Sequence, residues 1–154
     1  METEEEKLIK AIINKNNDEV KLILYNSNKN NNTLNINKKD ENGKYPLLEA
    51  CLENNVEIVQ LLIEYANKNN IILELNEKNE YDDNPIHGAC LNDNPEIVQL
   101  LMEYANNNNI LLELNEMNKN GHYPLEWSCS ENNIEMVRLL INYANKNKKY
   151  FEYE

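Results

Sequence analysis

Three cysteines are the residues whose spacing most invites a chemical interpretation. Cys51, Cys90 and Cys129 lie 39 residues apart, and thiols can form disulfides or hold a metal ion. Stacked repeats would place such positions about 8–10 Å apart, whereas a disulfide needs Cα atoms within about 7 Å. No Cys-x-x-Cys pair or histidine cluster accompanies them, so a metal site has no ligand set. We therefore predict that they are small apolar core residues.

Other reactive groups are scattered along the chain. The three glycines Gly43, Gly88 and Gly121 are isolated, so none forms a phosphate-binding loop. Asp82-Asp83 lacks the spaced oxygens of a calcium loop. The few serines and histidines do not combine into a nucleophile, a base and an orienting group. We predict no catalytic, metal-binding or cofactor-binding residue, and a protein that is not an enzyme.

The sequence repeats with a period of 39 residues. Pro46, Pro85 and Pro124 follow this period, and Tyr65-Ala66-Asn67 recurs one and two periods later. A period of this length indicates stacked supersecondary units rather than one closed core. We predict a single repeat domain with a truncated first unit, two full units and a last unit, at residues 1–39, 40–78, 79–117 and 118–154.

Each unit reads as a turn, a short helix, a tight connection and a longer helix. Asp40-Glu41-Asn42-Gly43 is typical of a turn, and Pro46 suits the first turn of a helix. The helical apolar faces are those of Leu47, Ala50 and Cys51 and then of Ile58, Val59, Leu62 and Ile63. Leu73 and Leu75 alternate with polar residues, which suggests a short extended segment. The predicted fold is an all-α solenoid of stacked helix-turn-helix repeats with short hairpin-like connecting turns.

Asparagine is unusually frequent, at 33 of 154 residues. Most asparagines fall at the same phases of each unit, where helices end and the chain turns. Asparagine tolerates the left-handed backbone conformation that such sites require. With only three glycines in the chain, we predict that asparagine takes the place of glycine at these turns.

The repeated motifs resemble the ankyrin repeat. Its T-P-L-H-x-A signature is matched by Tyr45-Pro46-Leu47-Leu48-Glu49-Ala50, by Asn84-Pro85-Ile86-His87-Gly88-Ala89 and by Tyr123-Pro124-Leu125-Glu126-Trp127-Ser128. The resemblance implies an ankyrin-like solenoid, and local hydrogen bonding for His87. The family's period is about 33 residues, and its helix-ending glycine is replaced here by Ala66, Ala105 and Ala144. We expect a longer second helix, closed by Asn67 to Asn70.

The resemblance also implies a non-catalytic module that binds a protein partner on its concave face. The turn tips and the exposed side of each first helix would form that face. Residues there vary between units, while the apolar framework does not. The candidate partner-binding residues are Glu41, Lys44, Glu49, Glu53, Glu80, Tyr81, Asp83, Leu91, Asn92, His122, Trp127 and Glu131. His122 lies at a turn tip and is either a solvated surface residue or a contact.

Trp127 is the only tryptophan, and its equivalents are Glu49 and Gly88. The framework therefore does not demand a large ring at this position. Tryptophan is among the residues that dominate interface energetics, so Trp127 is a candidate contact. The alternative is that its ring covers the gap that Gly88 leaves in the neighbouring unit.

Negative charge is concentrated in the middle of the array. The chain carries a net charge of −12, and residues 79–117 contain eight acidic residues and no Lys or Arg. Such a field repels nucleic acid and anionic membranes and attracts basic surfaces. We therefore predict a basic protein segment as the partner, with association that slows as salt rises, and neither nucleic acid nor membrane as a partner.

The competing interpretation is a structural or self-assembling element that forms homo-oligomers through the last unit. Phe151 and Tyr153 continue the alternation of Leu112 and Leu114, so the tail either covers that end or offers it to another copy. A monomer is the leading expectation. Met1 is followed by an acidic stretch rather than a basic signal-peptide start, and no apolar run is long enough to span a bilayer. We expect a cytoplasmic protein.

Overall fold

The computed structural model describes residues 1–130 and 132–148. These residues form helices and contain no strand, so the predicted all-α solenoid is confirmed. The helices alternate between short and long and form four consecutive pairs. In chain order they are α1 (Glu4–Ile13), α2 (Asn17–Lys29), α3 (Pro46–Leu52), α4 (Val56–Lys68), α5 (Pro85–Leu91), α6 (Pro95–Asn107), α7 (Pro124–Ser130) and α8 (Ile134–Lys146).

The first helix of each full pair begins at its proline, as the sequence predicts. Pro46 and Pro85 occupy the N-terminal helical positions of α3 and α5, where a missing N–H removes no intrahelical bond. Helix α1 lacks this proline and begins three positions earlier in the repeat register. Thr3 caps it in a capping box with Glu6, which satisfies two backbone donors. A cap therefore replaces the turn that opens the other pairs.

The connection within each pair contains a polar residue in a left-handed conformation, which glycine adopts most readily. Asn54 has a φ of 56°, and Asp93 and Asn132 adopt the same left-handed conformation at the equivalent positions. The next residue then caps the second helix: the Asn55 side chain accepts a hydrogen bond from the Ile58 backbone N–H at 3.1 Å. The same two-step arrangement explains why asparagine recurs at this phase of the repeat.

The second helices are thirteen residues long and end as the sequence predicts. Ala66 lies inside α4 rather than after it, and the helix continues to Lys68. Asn69 caps the end, donating from its side-chain amide to the Tyr65 carbonyl at 2.9 Å. Asn70 follows with a φ of 55°. The helix-ending glycine of the family is thus moved to a later position and filled by asparagine.

Tyrosine hydroxyls hold the segments that join one pair to the next. The Tyr104 hydroxyl accepts from the Leu73 backbone N–H at 3.0 Å, and Tyr65 and Tyr143 make the same bond to Leu34 and Leu112. Leu73 and Leu75 are buried, although their segment forms no strand. The expected extended stretch is therefore fixed by the following repeat rather than by a sheet.

One apolar core runs through all four pairs. It includes two of the three cysteines that were predicted to be core residues. Cys51 and Cys90 are buried and free, and burial raises the pKa of the Cys90 thiol to about 12. Cys129 is also free but exposed, so the prediction that it is a core residue is wrong. Its side of α7 corresponds to the side of α3 and α5 that the following first helix covers. Leu125 on the same helix is 38% exposed, while its equivalent Leu47 is fully buried.

Candidate protein-binding surface

Three turn tips with the same internal hydrogen bonds precede the first helices α3, α5 and α7. In the first tip, Asp40 accepts at one carboxylate oxygen from the backbone N–H groups of Asn42 and Lys44, both at 2.9 Å. Asn79 and Asn118 make the equivalent bonds in the next two tips. The tips are therefore fixed by local chemistry, and their outermost side chains are free to differ.

Neighbouring tips are also bonded to one another. The Lys119 backbone N–H donates to the Tyr81 carbonyl at 2.9 Å, and the Asn118 amide donates to the Asp83 carboxylate at 2.9 Å. A Cβ atom added at Gly43, which has a φ of 75°, would lie 3.1 Å from the Asn79 Cα. These contacts arrange the tips side by side along one edge of the array.

Most of the tip residues predicted to bind a partner lie at the surface. Glu41, Glu80 and His122 are exposed, and Tyr81 is 56% exposed. Lys44 and Asp83 are half-buried, and Asp83 is partly engaged by Asn118. The tips thus present carboxylates together with one exposed tyrosine ring.

Glu49 corrects the prediction that its position in the first helix is exposed. The residue is only 5% exposed. The reason is seen at its equivalent Gly88, where an added Cβ would lie 3.0 Å from the Leu52 backbone nitrogen of the preceding pair. This register position therefore faces the preceding first helix rather than solvent. Gly88 itself is buried for the same reason.

The Glu49 carboxylate is not compensated by hydrogen bonds. Its Oε1 atom is buried and makes no hydrogen bond in the described residues. Burial is the main cause that raises the pKa of Glu49, Lys44 opposes this, and Glu53 and Asp40 add to it. Asp40 and Lys44 belong to the tip and Glu53 to the end of α3. Glu49 therefore lies between the charged groups of the turn tip before α3 and Glu53 at the end of α3.

The remaining first-helix candidates divide between framework and surface. The Asn92 amide donates to the carbonyls of Cys51 and Leu52, at 3.1 and 2.8 Å, so its donor groups hold two helices together. Glu53 is half-buried and forms an ion pair with Lys15 at 3.4 Å. Leu91, in contrast, is 50% exposed. Glu131 lies outside the described residues, as do Phe151 and Tyr153.

Trp127 is half-buried and packs against two histidine rings. Its centroid lies 6.0 Å from that of His87 in an edge-on arrangement, and 5.3 Å from that of His122. The ring therefore lies between the third and fourth pairs and still reaches the surface. This geometry agrees with packing of the ring against the preceding unit, at His87, and the exposed part of the ring remains a candidate contact.

His87 is a buried structural residue with defined hydrogen bonds. Its Nε2 donates to the Glu116 carbonyl at 2.9 Å, because a carbonyl oxygen only accepts. Its Nδ1 lies at hydrogen-bond distance from both the backbone nitrogen and the side-chain oxygen of Asn84, at 3.3 and 2.8 Å. Burial, the largest cause, lowers the pKa of His87, although the Asp83 carboxylate acts in the opposite direction. The neutral ring fixes the start of α5, as the resemblance implies.

Ion pairs between consecutive helix pairs leave the unpaired negative charge unevenly distributed along the array. Lys15, Lys21 and Lys39 contact carboxylates of residues 40–78, namely Glu53 at 3.4 Å, Glu57 at 2.5 Å and Glu77 at 2.6 Å. Glu116 is the one acidic residue of 79–117 that is paired within the described part of the chain, with Lys78 at 2.8 Å. The others form no ion pair there: Glu80, Asp82, Asp83, Asp93, Glu96, Glu103 and Glu113.

A row of apolar side chains was incompletely recognised from the sequence. Ile13, Leu52 and Leu91 occupy the same register position near the ends of α1, α3 and α5, and Ile13 was not among the residues predicted for the binding face. Ile13 and Leu52 are half-buried. The 39-residue spacing of these three side chains was the signal that could have identified the row.

Among the described residues, no group of three or more His, Cys, Asp or Glu side chains could hold a metal ion. None of the helices there is long and apolar enough to cross a membrane.

Stacked helix pairs with a shared framework and individual surface residues define a solenoid repeat protein. A family model described as ankyrin repeats (3 copies) matches residues 8–111 and 69–150. The chain belongs to the ankyrin repeat family. Ankyrin repeats are generally protein–protein interaction modules, and the family is typically non-catalytic. No curated protein matches the chain.

Proposed function

We propose that this protein is a non-enzymatic interaction module that binds a basic segment of a protein partner in the cytoplasm. The binding surface consists of the turn tips and the exposed parts of the first helices, which we call the inner surface. Nucleic acid and anionic membranes would be repelled by the same charge. The monomer is the proposed binding form.

The observation that carries this proposal is the distribution of ion pairs. Lysines of the first pair neutralise carboxylates of residues 40–78, but residues 79–117 keep seven acidic side chains without an ion pair in the described part of the chain. Glu80, Asp82 and Asp83 belong to one tip, next to the exposed Tyr81. A basic partner would therefore be attracted most strongly to the third pair.

The test compares two charge reversals of equal size. The variant Glu41→Lys/Glu80→Lys changes two tips, and the control Glu64→Lys/Glu103→Lys changes exposed positions on the second helices α4 and α6. Proteins bound by the wild type would be identified by affinity capture, and association rates would then be measured with the purified partner at rising salt. We expect the tip variant to bind more slowly by about tenfold, while the control stays close to wild type. Equal losses in both variants would contradict a role for the tips.

A second candidate function is self-association through the last pair. Leu125, Tyr123 and Ile141 are exposed and line a groove that also includes Leu114 and Leu140. Light scattering over a range of protein concentrations separates the two: a mass that rises with concentration supports self-association, and a constant monomer mass opposes it.

A further inference from the structure

Only two of the 33 asparagines are followed directly by a glycine, and both lie at turn tips. Asn42 precedes Gly43 in the tip before α3, and Asn120 precedes Gly121 in the tip before α7; both asparagines are exposed. The equivalent residues in the tip before α5 are Tyr81-Asp82. Because glycine has no Cβ atom, its backbone nitrogen can approach the side-chain carbonyl carbon of a preceding asparagine with little steric hindrance. An asparagine before glycine therefore loses its side-chain amide most readily.

The reaction at such a pair requires water alone as a co-reactant. The glycine nitrogen forms a bond to the asparagine Cγ, the bond between Cγ and the amide nitrogen breaks, and ammonia leaves with the proton that the glycine nitrogen has lost. The product is a succinimide ring. Water then opens the ring at one of its two carbonyl groups, which gives either aspartate or isoaspartate. Each event adds one negative charge, and isoaspartate also lengthens the main chain by one methylene group.

In both tips the reacting nitrogen takes part in the turn. The Gly43 N–H donates to the Asp40 carbonyl at 3.1 Å, and the Gly121 N–H donates to the Asn118 carbonyl at 2.9 Å. Both glycines have the left-handed backbone conformation, with φ of 75° and 79°. Ring closure breaks this hydrogen bond and rotates the peptide group out of the turn. Its rate therefore depends on how readily each tip opens locally.

The following tip packs against Gly43, whereas Gly121 has no such neighbour. A Cβ atom added at Gly43 would lie 3.1 Å from the Asn79 Cα and 3.3 Å from the Glu80 nitrogen, so the main chain of the tip before α5 contacts this glycine directly. A Cβ atom added at Gly121 would have no atom of the described residues within 4 Å. The cause is position in the array, because no further tip follows the one before α7 in the described part of the chain. Opening is therefore opposed less at Gly121 than at Gly43.

We propose that Asn120 is a site of spontaneous deamidation in the folded protein, and that packing of the next tip protects Asn42. The tip before α7 contains Lys119 and no acidic residue, so conversion of Asn120 adds a first carboxylate to it. The new charge lies two residues before His122, whose ring packs against Trp127. Deamidation thus changes the charge of the inner surface after folding and without an enzyme. This inference goes beyond the proposed function and does not depend on it.

The test follows ammonia loss in the whole folded protein. Purified protein is kept at neutral pH and sampled over several weeks, and each sample is digested with trypsin and analysed by mass spectrometry, with the starting sample as the correction for digestion. Cleavage after Lys44 and Lys119 places Asn42 and Asn120 on different peptides. Isoaspartate is measured separately by enzymatic methylation of its carboxylate. We expect Asn120 to be converted several-fold faster than Asn42, with both aspartate and isoaspartate as products.

Two controls separate the effect of the fold from that of the local sequence. In guanidinium chloride both asparagines keep their glycine but lose the neighbouring tip, so their rates should become nearly equal. The variant Gly121→Asp copies Asp82, which has a φ of 60° at the equivalent position, so the tip should keep its conformation. The added side chain hinders the attack, and conversion of Asn120 should slow several-fold while that of Asn42 is unchanged. Thermal melting confirms that the variant is folded.

Three outcomes would overturn the inference. Equal rates for Asn42 and Asn120 in the folded protein, or no conversion of Asn120, would show that the open side of the last tip has no effect. A difference that persists in guanidinium chloride would place its cause in the local sequence. An unchanged rate in Gly121→Asp would mean that the glycine does not permit the reaction. Partner binding is tested separately by the charge-reversal variants.

Discussion

The second and third helix pairs have the same backbone arrangement, but they differ in their ion pairs and in the residue at one packing position. Carboxylates of residues 40–78 form ion pairs with three lysines of the first pair, whereas residues 79–117 form one such ion pair, with a lysine of the second pair. At the register position that faces the preceding helix, the second pair has Glu49 and the third has Gly88. The shared framework therefore fixes where side chains lie, and individual residues decide whether a site is neutralised, filled or left open.

The largest expected effect comes from making the third pair resemble the second at this position. Gly88→Glu would force a side chain toward the Leu52 nitrogen and the Cys51 carbonyl carbon, which lie 3.0 and 3.2 Å from the added Cβ. Overpacking and carboxylate burial together should lower the free energy of unfolding by about 3 kcal/mol. Urea titration and thermal melting measure this, with a decrease in melting temperature of roughly 6–12 °C.

Asn67→Glu is the control for that substitution, because it adds the same charge at an exposed position of α4. Its stability should stay within about 0.5 kcal/mol of the wild type. If Gly88→Glu were as stable as this control, the close approach of α3 and α5 would not depend on glycine.

The sequence predicted those features that local rules determine. Pro46 at a helix start and Asn54, Asn55 and Asn70 at helix ends follow from backbone preferences of single residues, and the 39-residue period then extends them along the chain. The exposure of Glu49 and Cys129 was predicted incorrectly. Both depend on how closely neighbouring first helices approach and on whether another helix follows, and neither is a local property.

Ion pairs between consecutive helix pairs could have been predicted from the sequence with the correct register offset. Lys39–Glu77 and Lys78–Glu116 pair across 38 residues, one fewer than the period, so a search at that offset would have identified both. The position of Trp127 against His87 could not be obtained this way. It depends on ring orientations set by packing between the third and fourth pairs.

A smaller effect is expected from removing the unpaired carboxylate of the second pair. Burial raises the pKa of Glu49 in the folded state, so its contribution to stability is present in acid and is lost as pH rises through the folded pKa. Glu49→Gln carries no charge at either pH. The variant should therefore be more stable than the wild type by about 1 kcal/mol at pH 7, with the difference vanishing below about pH 4. Urea titrations at the two pH values test this, and the exposed Glu64→Gln serves as control. A gain that is the same at both pH values would point to packing rather than charge.

The smallest expected effect comes from adding a lysine to the second pair that contacts the third pair, as Lys21 of the first pair contacts the second. Lys21 contacts Glu57 at 2.5 Å, and the positions one period later are Gln60 and Glu96, so Gln60→Lys should place an ammonium beside the Glu96 carboxylate. An exposed pair of this kind stabilises by about 0.2–1 kcal/mol. Urea titration at low salt should resolve the gain, and in 1 M NaCl it should disappear because the screening length falls to about 3 Å. Asn67→Lys adds the same charge to another exposed position of α4 and should give a smaller gain. A gain from Gln60→Lys that survives high salt would mean that the lysine stem packs on α6, and the contrast between the two helix pairs would then not be one of charge alone.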